Sequence, residues 1–190
     1  MYQPLLDHIR RYVTLSPREE ELLCGHLEYK KLKKKEFLLE GGKVCKGGYF
    51  IVSGCVRQYF VNQKLNEQII NFALENWWIS DYDSVMNEKP ALTSIQTIEA
   101  TELILLPDKA AHELYLQIPP LETYSLIMMQ TAFVAAQRRL SFMFNFSDEE
   151  RYRNFSSRYP DFMQRVPQYM LASYLGFTPQ FMSRLRAKKI

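Results

Sequence analysis

Residues that anchor chemistry are scarce in this 190-residue sequence. It holds three cysteines, Cys24, Cys45 and Cys55, widely spaced and without a C-x-x-C pair. That argues against a disulfide framework and against a zinc site. No run reaches the roughly 18 uninterrupted apolar residues that a membrane span requires. Met1 to Arg11 lacks the apolar core of a signal peptide, so a cytoplasmic location is expected. There is no Gly-rich phosphate loop, no H-E-x-x-H and no G-x-S-x-G. Acidic pairs occur at Asp81/Asp83 and Glu149/Glu150, and the second is better read as a helix start. The sequence therefore assigns no catalytic residue, no metal and no cofactor, and the chain is expected not to be an enzyme. Internal repeats and low-complexity tracts are also missing.

What is present begins with a 47% apolar composition, ordinary for a chain that buries a core. The charge is unevenly divided. Residues 1–150 carry a net −4, whereas residues 151–190 hold eight basic residues and one acid, a net +7. An acidic body with a basic end suggests a segment that meets a polyanion.

Ser16-Pro17-Arg18-Glu19 reads as a capping box that opens a helix running to about His26. From Lys31 the pattern changes to short runs closed by turn residues: Phe37-Leu38-Leu39, Tyr49 to Val52, Val56 to Val61, Glu67 to Leu74 and Thr93 to Leu106. This is the grammar of an antiparallel barrel or sandwich. Lys33-Lys34-Lys35 reads as a solvated corner. Asp108 looks like the cap of a short helix to Gln117, and Pro119-Pro120 interrupts. Residues 121–146 then form a long helix of about 39 Å at 1.5 Å per residue. Its apolar positions include Leu121, Tyr124, Met128, Ala132, Ala135 and Leu140. Two readings stay open for it: a core helix, or one that pairs with its copy in a dimer. Ser147 to Glu150 forms a second capping box, and a domain boundary is placed between Phe146 and Ser147.

The stretch from Gln168 to Arg186 has the pattern of a helix-turn-helix. Leu171 and Leu175 lie on the first helix, and the small Ala172 permits close crossing. Gly176 stands at the turn, where a positive φ is often needed. Phe177 plugs the turn, and Thr178-Pro179 caps and opens the second helix. Met182 and Leu185 face back to the core. In such a unit the second helix enters the major groove by its N-terminal end. Gln180, Ser183, Arg184 and, further along, Ala187 and Lys188 then point outward; Arg suits guanine and Gln suits adenine. Thr178 and the helix N-terminus suit phosphate, and Arg186, Lys188 and Lys189 add salt-sensitive backbone contacts.

These residues resemble the Crp/Fnr family of bacterial transcription regulators over nearly the whole chain. The resemblance rests on Lys34 to Gly41, Tyr49 to Arg57, Thr97 to Leu103, the long helix, Glu150-Arg151-Tyr152 and Val166 to Arg186. It implies an α+β chain: an N-terminal antiparallel β-roll, jelly-roll-like, over 1–120, a long dimerisation helix over 121–146, and an all-α helix-turn-helix domain over 147–190. It further implies double-stranded DNA, a second copy of the chain, RNA polymerase and a small-molecule effector as partners. Nucleotide-binding members hold the ribose and cyclic phosphate with a Gly-Glu pair and a later Arg-Ser/Thr. Here Ser80-Asp81, followed by Tyr82, and Ala91-Leu92 fall at those places. Burying a phosphate without a cationic partner costs several kcal/mol, so cyclic AMP is not expected in the usual way. An iron–sulfur cluster needs about four thiolates, which three scattered cysteines do not supply. Haem ligation by His8, His26 or His112 stays open beside the commoner reading of a lone histidine as a core or surface residue. The family often adds a β-hairpin wing after the second helix, and the sequence stops at Ile190. That departure keeps an alternative open, a small-molecule sensor with a degenerate DNA-binding end.

Overall fold

The computed structural model describes residues 1–187. Two compact units emerge, Met1–Phe60 with Asn71–Gln130, and Val61–Ile70 with Thr131–Ile190.

Helices α1 (Gln3–Ile9) and α2 (Pro17–Cys24) precede the strands β1 (Glu28–Leu32), β2 (Phe37–Leu39), β3 (Gly47–Ser53), β4 (Val56–Val61), β5 (Glu67–Ala73) and β6 (Trp78–Ile79), all in the first unit except the β4–β5 tip over 61–70. Helix α3 (Tyr82–Asn87), β7 (Ser94–Thr97), β8 (Thr101–Pro107) and α4 (Asp108–Gln117) follow. The strands form two four-stranded sheets, ordered β1-β8-β3-β6 and β2-β7-β4-β5. The expected Ser16–Glu19 capping box is formed, and α2 ends two residues earlier than the sequence suggests. Strand β1 was not expected, because three of its five residues are charged. Its lysines lie along the surface, Lys30 on Glu28 at 3.0 Å and Lys31 on Glu102 at 2.6 Å. Asp108 is the first residue of α4 and not its cap, which is Pro107.

Strand alternation feeds two cores. Leu103 and Leu105 of β8, with Tyr49 and Ile51 of β3, join Leu39, Val56 and Ile95 in one cluster. Ile104, Leu106 and Phe50 belong to the other, with Leu5 and Ile9 of α1, Leu23 and Leu114. Each such side chain contributes roughly 1.5–3 kcal/mol on burial. Gly47 is obligatory here: at φ +152° a Cβ would lie 2.2 Å from the Leu106 carbonyl oxygen. The helical core carries one polar relay. Trp78 Nε1 donates to the Tyr124 hydroxyl at 2.7 Å, which leaves that hydroxyl to donate to His8 Nδ1 at 2.8 Å. Burial, aided by Arg11, pulls the His8 pKa below 6.5.

Helix α5 (Pro119–Asn145) runs for 27 residues. Pro119 and Pro120 open this helix instead of interrupting ahead of it, since the first turn needs no N–H donor there. Within the chain only Leu121 and Tyr124 of α5 are buried. Leu126, Phe133 and Leu140 are 57%, 64% and 60% exposed, spaced seven apart, with Met129 and Phe144 also exposed. The start of the helix thus joins the core through Leu121 and Tyr124, while its later apolar positions stay uncovered within one chain. The second unit also holds α6 (Asp148–Arg158), α7 (Pro160–Arg165), α8 (Gln168–Leu175) and α9 (Pro179–Ala187). Ser147 and Glu150 form the expected capping box of α6. Helix α7 had no expectation. Among the described residues no helix is long and apolar enough to cross a membrane.

Candidate nucleic-acid interface

Helices α8 and α9 are joined by Gly176-Phe177-Thr178. Gly176 adopts φ +80°, and the Phe177 N–H returns to the Ala172 carbonyl at 2.8 Å. That is the left-handed helix end for which glycine is suited. Leu171, Ala172, Leu175, Phe177, Met182 and Leu185 are buried, as the spacing requires. The Thr178 hydroxyl accepts the Phe181 N–H at 3.2 Å and so caps α9. Gln180, Ser183 and Arg184 are exposed on α9 together with Thr178 at its N-terminal end. The Arg184 guanidinium lies 5.7 Å from the centre of the Phe181 ring. One helix thus presents an amide, a hydroxyl and a guanidinium towards its N-terminal half. Of the remaining expected contacts, the Arg186 side chain and Lys188 lie outside the described residues.

Sequence reasoning missed a supporting cation. Arg151, counted among the basic residues that would face a polyanion, is buried. Its guanidinium ion-pairs with Asp148, donates to the Met143 carbonyl at 3.3 Å and sits 5.2 Å from the centre of the Phe177 ring. Its Nε is buried without a hydrogen-bond partner. Arg151 therefore braces the turn plug and does not reach for DNA. The signal was its position just inside the Ser147 capping box, where the chain turns inward.

In the first unit, Ser80, Asp81 and Ala91 are buried, while Tyr82 is partly exposed and Leu92 is 81% exposed. Asp81 caps α3, accepting from Ser84 N at 3.0 Å, and its other oxygen accepts from the Thr93 hydroxyl. Gln58 of β4 donates to Thr93 Oγ1 at 3.0 Å and to the Ser80 carbonyl at 3.4 Å. Ser80 donates to the Gly47 carbonyl at 2.9 Å. Lys89 lies 2.8 Å from Asp83, and Arg57 is held on Gln96 at 2.7 Å and against Tyr59. A carboxylate stands at this place and the neighbouring cations are engaged elsewhere, so the residues do not fit a cyclic phosphate. Gln58 and Thr93 had drawn no notice in the sequence because neither lies in a motif.

The chain thus combines a double-sheet roll, a long helix and a helix-turn-helix. Residues 29–117 match the family model of the cyclic nucleotide-binding domain. The chain is 26% identical to the anaerobic regulatory protein of Pasteurella multocida, covering 90% of this chain and 67% of that protein. It is also 26% identical to the fumarate and nitrate reduction regulatory protein of Yersinia pestis, with 90% and 73% covered. A solved structure from Eubacterium rectale, assigned to the Crp/Fnr family of transcriptional regulators, superposes with a TM-score of 0.74 at 17% identity. It covers 92% of this chain and 83% of that one, and speaks for the fold. The chain is thus similar, over most of its length, to regulators of the Crp/Fnr type.

Proposed function

We propose that the chain is a homodimeric transcription regulator that reads double-stranded DNA with α9. The observation that carries this reading is the exposure of Thr178, Gln180, Ser183 and Arg184 on a helix launched from a left-handed glycine turn. Arg184 would donate to guanine O6 and N7, and Gln180 would pair with adenine. Thr178 and the α9 N-terminus would take a phosphate, with Arg186 and Lys188 adding backbone contacts. Residues 1–120 form the sensor part, 121–146 the pairing helix and 147–190 the reading part. The apolar stripe Leu126, Met129, Phe133 and Leu140 supports pairing with a second copy, which gives two reading helices for two half-sites. RNA polymerase is the expected downstream partner, and DNA as target places the protein in the cytoplasm. A small-molecule effector, if it acts at the Gln58–Asp81–Thr93 network, is not held as a cyclic phosphate.

The test is fluorescence anisotropy with the DNA upstream of the protein's own operon, over a salt series. Binding should weaken steeply with salt, and Arg184→Ala should lose about 1–3 kcal/mol on the preferred site. Absence of salt-sensitive binding to any genomic fragment would refute the reading. Ligand-induced thermal stabilisation without DNA binding would instead favour a sensor with a degenerate reading end.

A further inference from the structure

The second unit contains residues 61–70, the tip of the β4–β5 hairpin, along with the helices. Strand β5 is the edge of its sheet, so one side of its backbone lacks a neighbouring strand. In a strand, residues two apart point their N–H and C=O groups to the same edge. Glu67 and Ile69 are such a pair, and a single side chain from α8 serves both. The Ser173 hydroxyl donates to the Glu67 carbonyl at 3.1 Å and accepts the Ile69 N–H at 2.9 Å. It does for the edge what a partner strand would do.

The hairpin returns the contact. Gln68 Nε2 donates to the Ser173 carbonyl at 2.6 Å. From α5, the Arg139 guanidinium donates to the Ile70 carbonyl and, at 3.0 Å, to the Tyr174 carbonyl. It also stacks on the Tyr174 ring, 4.0 Å from its centre. Ser173 and Tyr174 belong to the last turn of α8, where the helix ladder runs out and the Ser173 carbonyl accepts only the long Gly176 N–H contact at 3.3 Å from the helix end. A cation at that end also favours the helix dipole. Three segments thus meet on the turn of helix that leads into Gly176 and α9.

We infer that Ser173, Gln68 and Arg139 form a clamp that fixes the end of α8 to the hairpin tip, making Ser173 and Arg139 positioning residues for the reading helix. The clamp leaves Gln180, Ser183 and Arg184 exposed, so it orients the reading helix and does not mask it. Its effect on DNA rests on the DNA-binding reading above; the contact itself does not.

Two measurements on the full chain test it. Amide hydrogen exchange should show Ile69 protected in the wild type. Ser173→Ala should raise Ile69 exchange at least tenfold and speed exchange over 176–182, whereas Ser173→Thr keeps the hydroxyl and should retain protection. In anisotropy, Ser173→Ala should bind DNA about five- to tenfold more weakly, the worth of one or two hydrogen bonds. The salt slope should stay unchanged because no phosphate contact is lost, and Ser173→Thr should bind like the wild type. Unchanged Ile69 exchange in Ser173→Ala overturns the clamp. Faster exchange with wild-type DNA affinity overturns its positioning role. If the wild type binds no DNA, the DNA reading fails on its own, and exchange at Ile69 and over 176–182 decides the clamp.

Discussion

Truncating Phe133 to Ala on α5 should dissociate the proposed dimer while leaving each protomer folded. The side chain is 64% exposed in the single chain, so most of its area remains to be covered by a partner. A Phe side chain offers on the order of 200 Å², which leaves roughly 130 Å² to bury. At about 25 cal/mol per Å² that is worth about 3 kcal/mol. Alanine keeps about a third of the contact, so the loss is about 2 kcal/mol per protomer. Two-fold symmetry places Phe133 in the interface twice, giving about 4 kcal/mol per dimer. At about 1.4 kcal/mol per factor of ten, the dimer dissociation constant should rise about 1,000-fold. Sedimentation velocity over a concentration series measures it, with circular dichroism to confirm folding. Val44→Ala, at an exposed apolar residue away from α5, serves as control. A rise smaller than tenfold, or an equal rise in the control, would refute the assignment of this stripe to pairing.

Gly176→Ala should destabilise the second unit by about 1–2 kcal/mol, the cost of a left-handed conformation for a residue with a Cβ. The new methyl would also meet Met143 Cε at 3.0 Å, a flexible end that can move aside; a denaturant midpoint unchanged from wild type would contradict the turn geometry. Because burial lowers the His8 pKa in the folded state, the unfolded chain takes up the proton first as pH falls. Stability should be flat above pH 6.5 and decline below it, until the lower folded pKa is passed. Melting temperatures between pH 7.5 and 5.5 follow this, and His8→Asn should flatten the decline; an unaltered profile in that variant would place the pH dependence elsewhere.

Legibility from sequence followed local chemistry. Both capping boxes were readable because Ser and Glu three apart satisfy each other's neighbours without help from the rest of the chain. Strand β4 was bounded correctly at Val56 and Val61, where turn residues flank an apolar run. The helix-turn-helix was readable because glycine, a crossing alanine and a capping threonine each answer a steric demand at a fixed offset. Strand β1 escaped because its stability comes from pairing with β8 and not from its own lysine-rich residues. The polar network of Gln58, Thr93 and Asp81 escaped for a related reason: its members lie on three distant segments. Arg139 and Arg151 were legible as charge, but which faces inward depends on packing that charge counting does not see.

The Gln58–Thr93–Asp81 network also has a consequence for which solutes the roll can admit. Its buried donors and acceptors are already matched, so an incoming molecule must replace each bond it breaks, like for like. Every donor or acceptor left without a partner costs about 1–3 kcal/mol. A solute displacing the Thr93 hydroxyl must bring a hydrogen to the Asp81 carboxylate and a lone pair to the Gln58 amide. Neutral molecules with paired hydroxyl or amide groups meet that demand, whereas an anion brings lone pairs to a carboxylate that needs a donor. A solute taken up at this network would therefore be selected by hydrogen-bond polarity, an exchange of equals, where an arginine-lined pocket would select by charge.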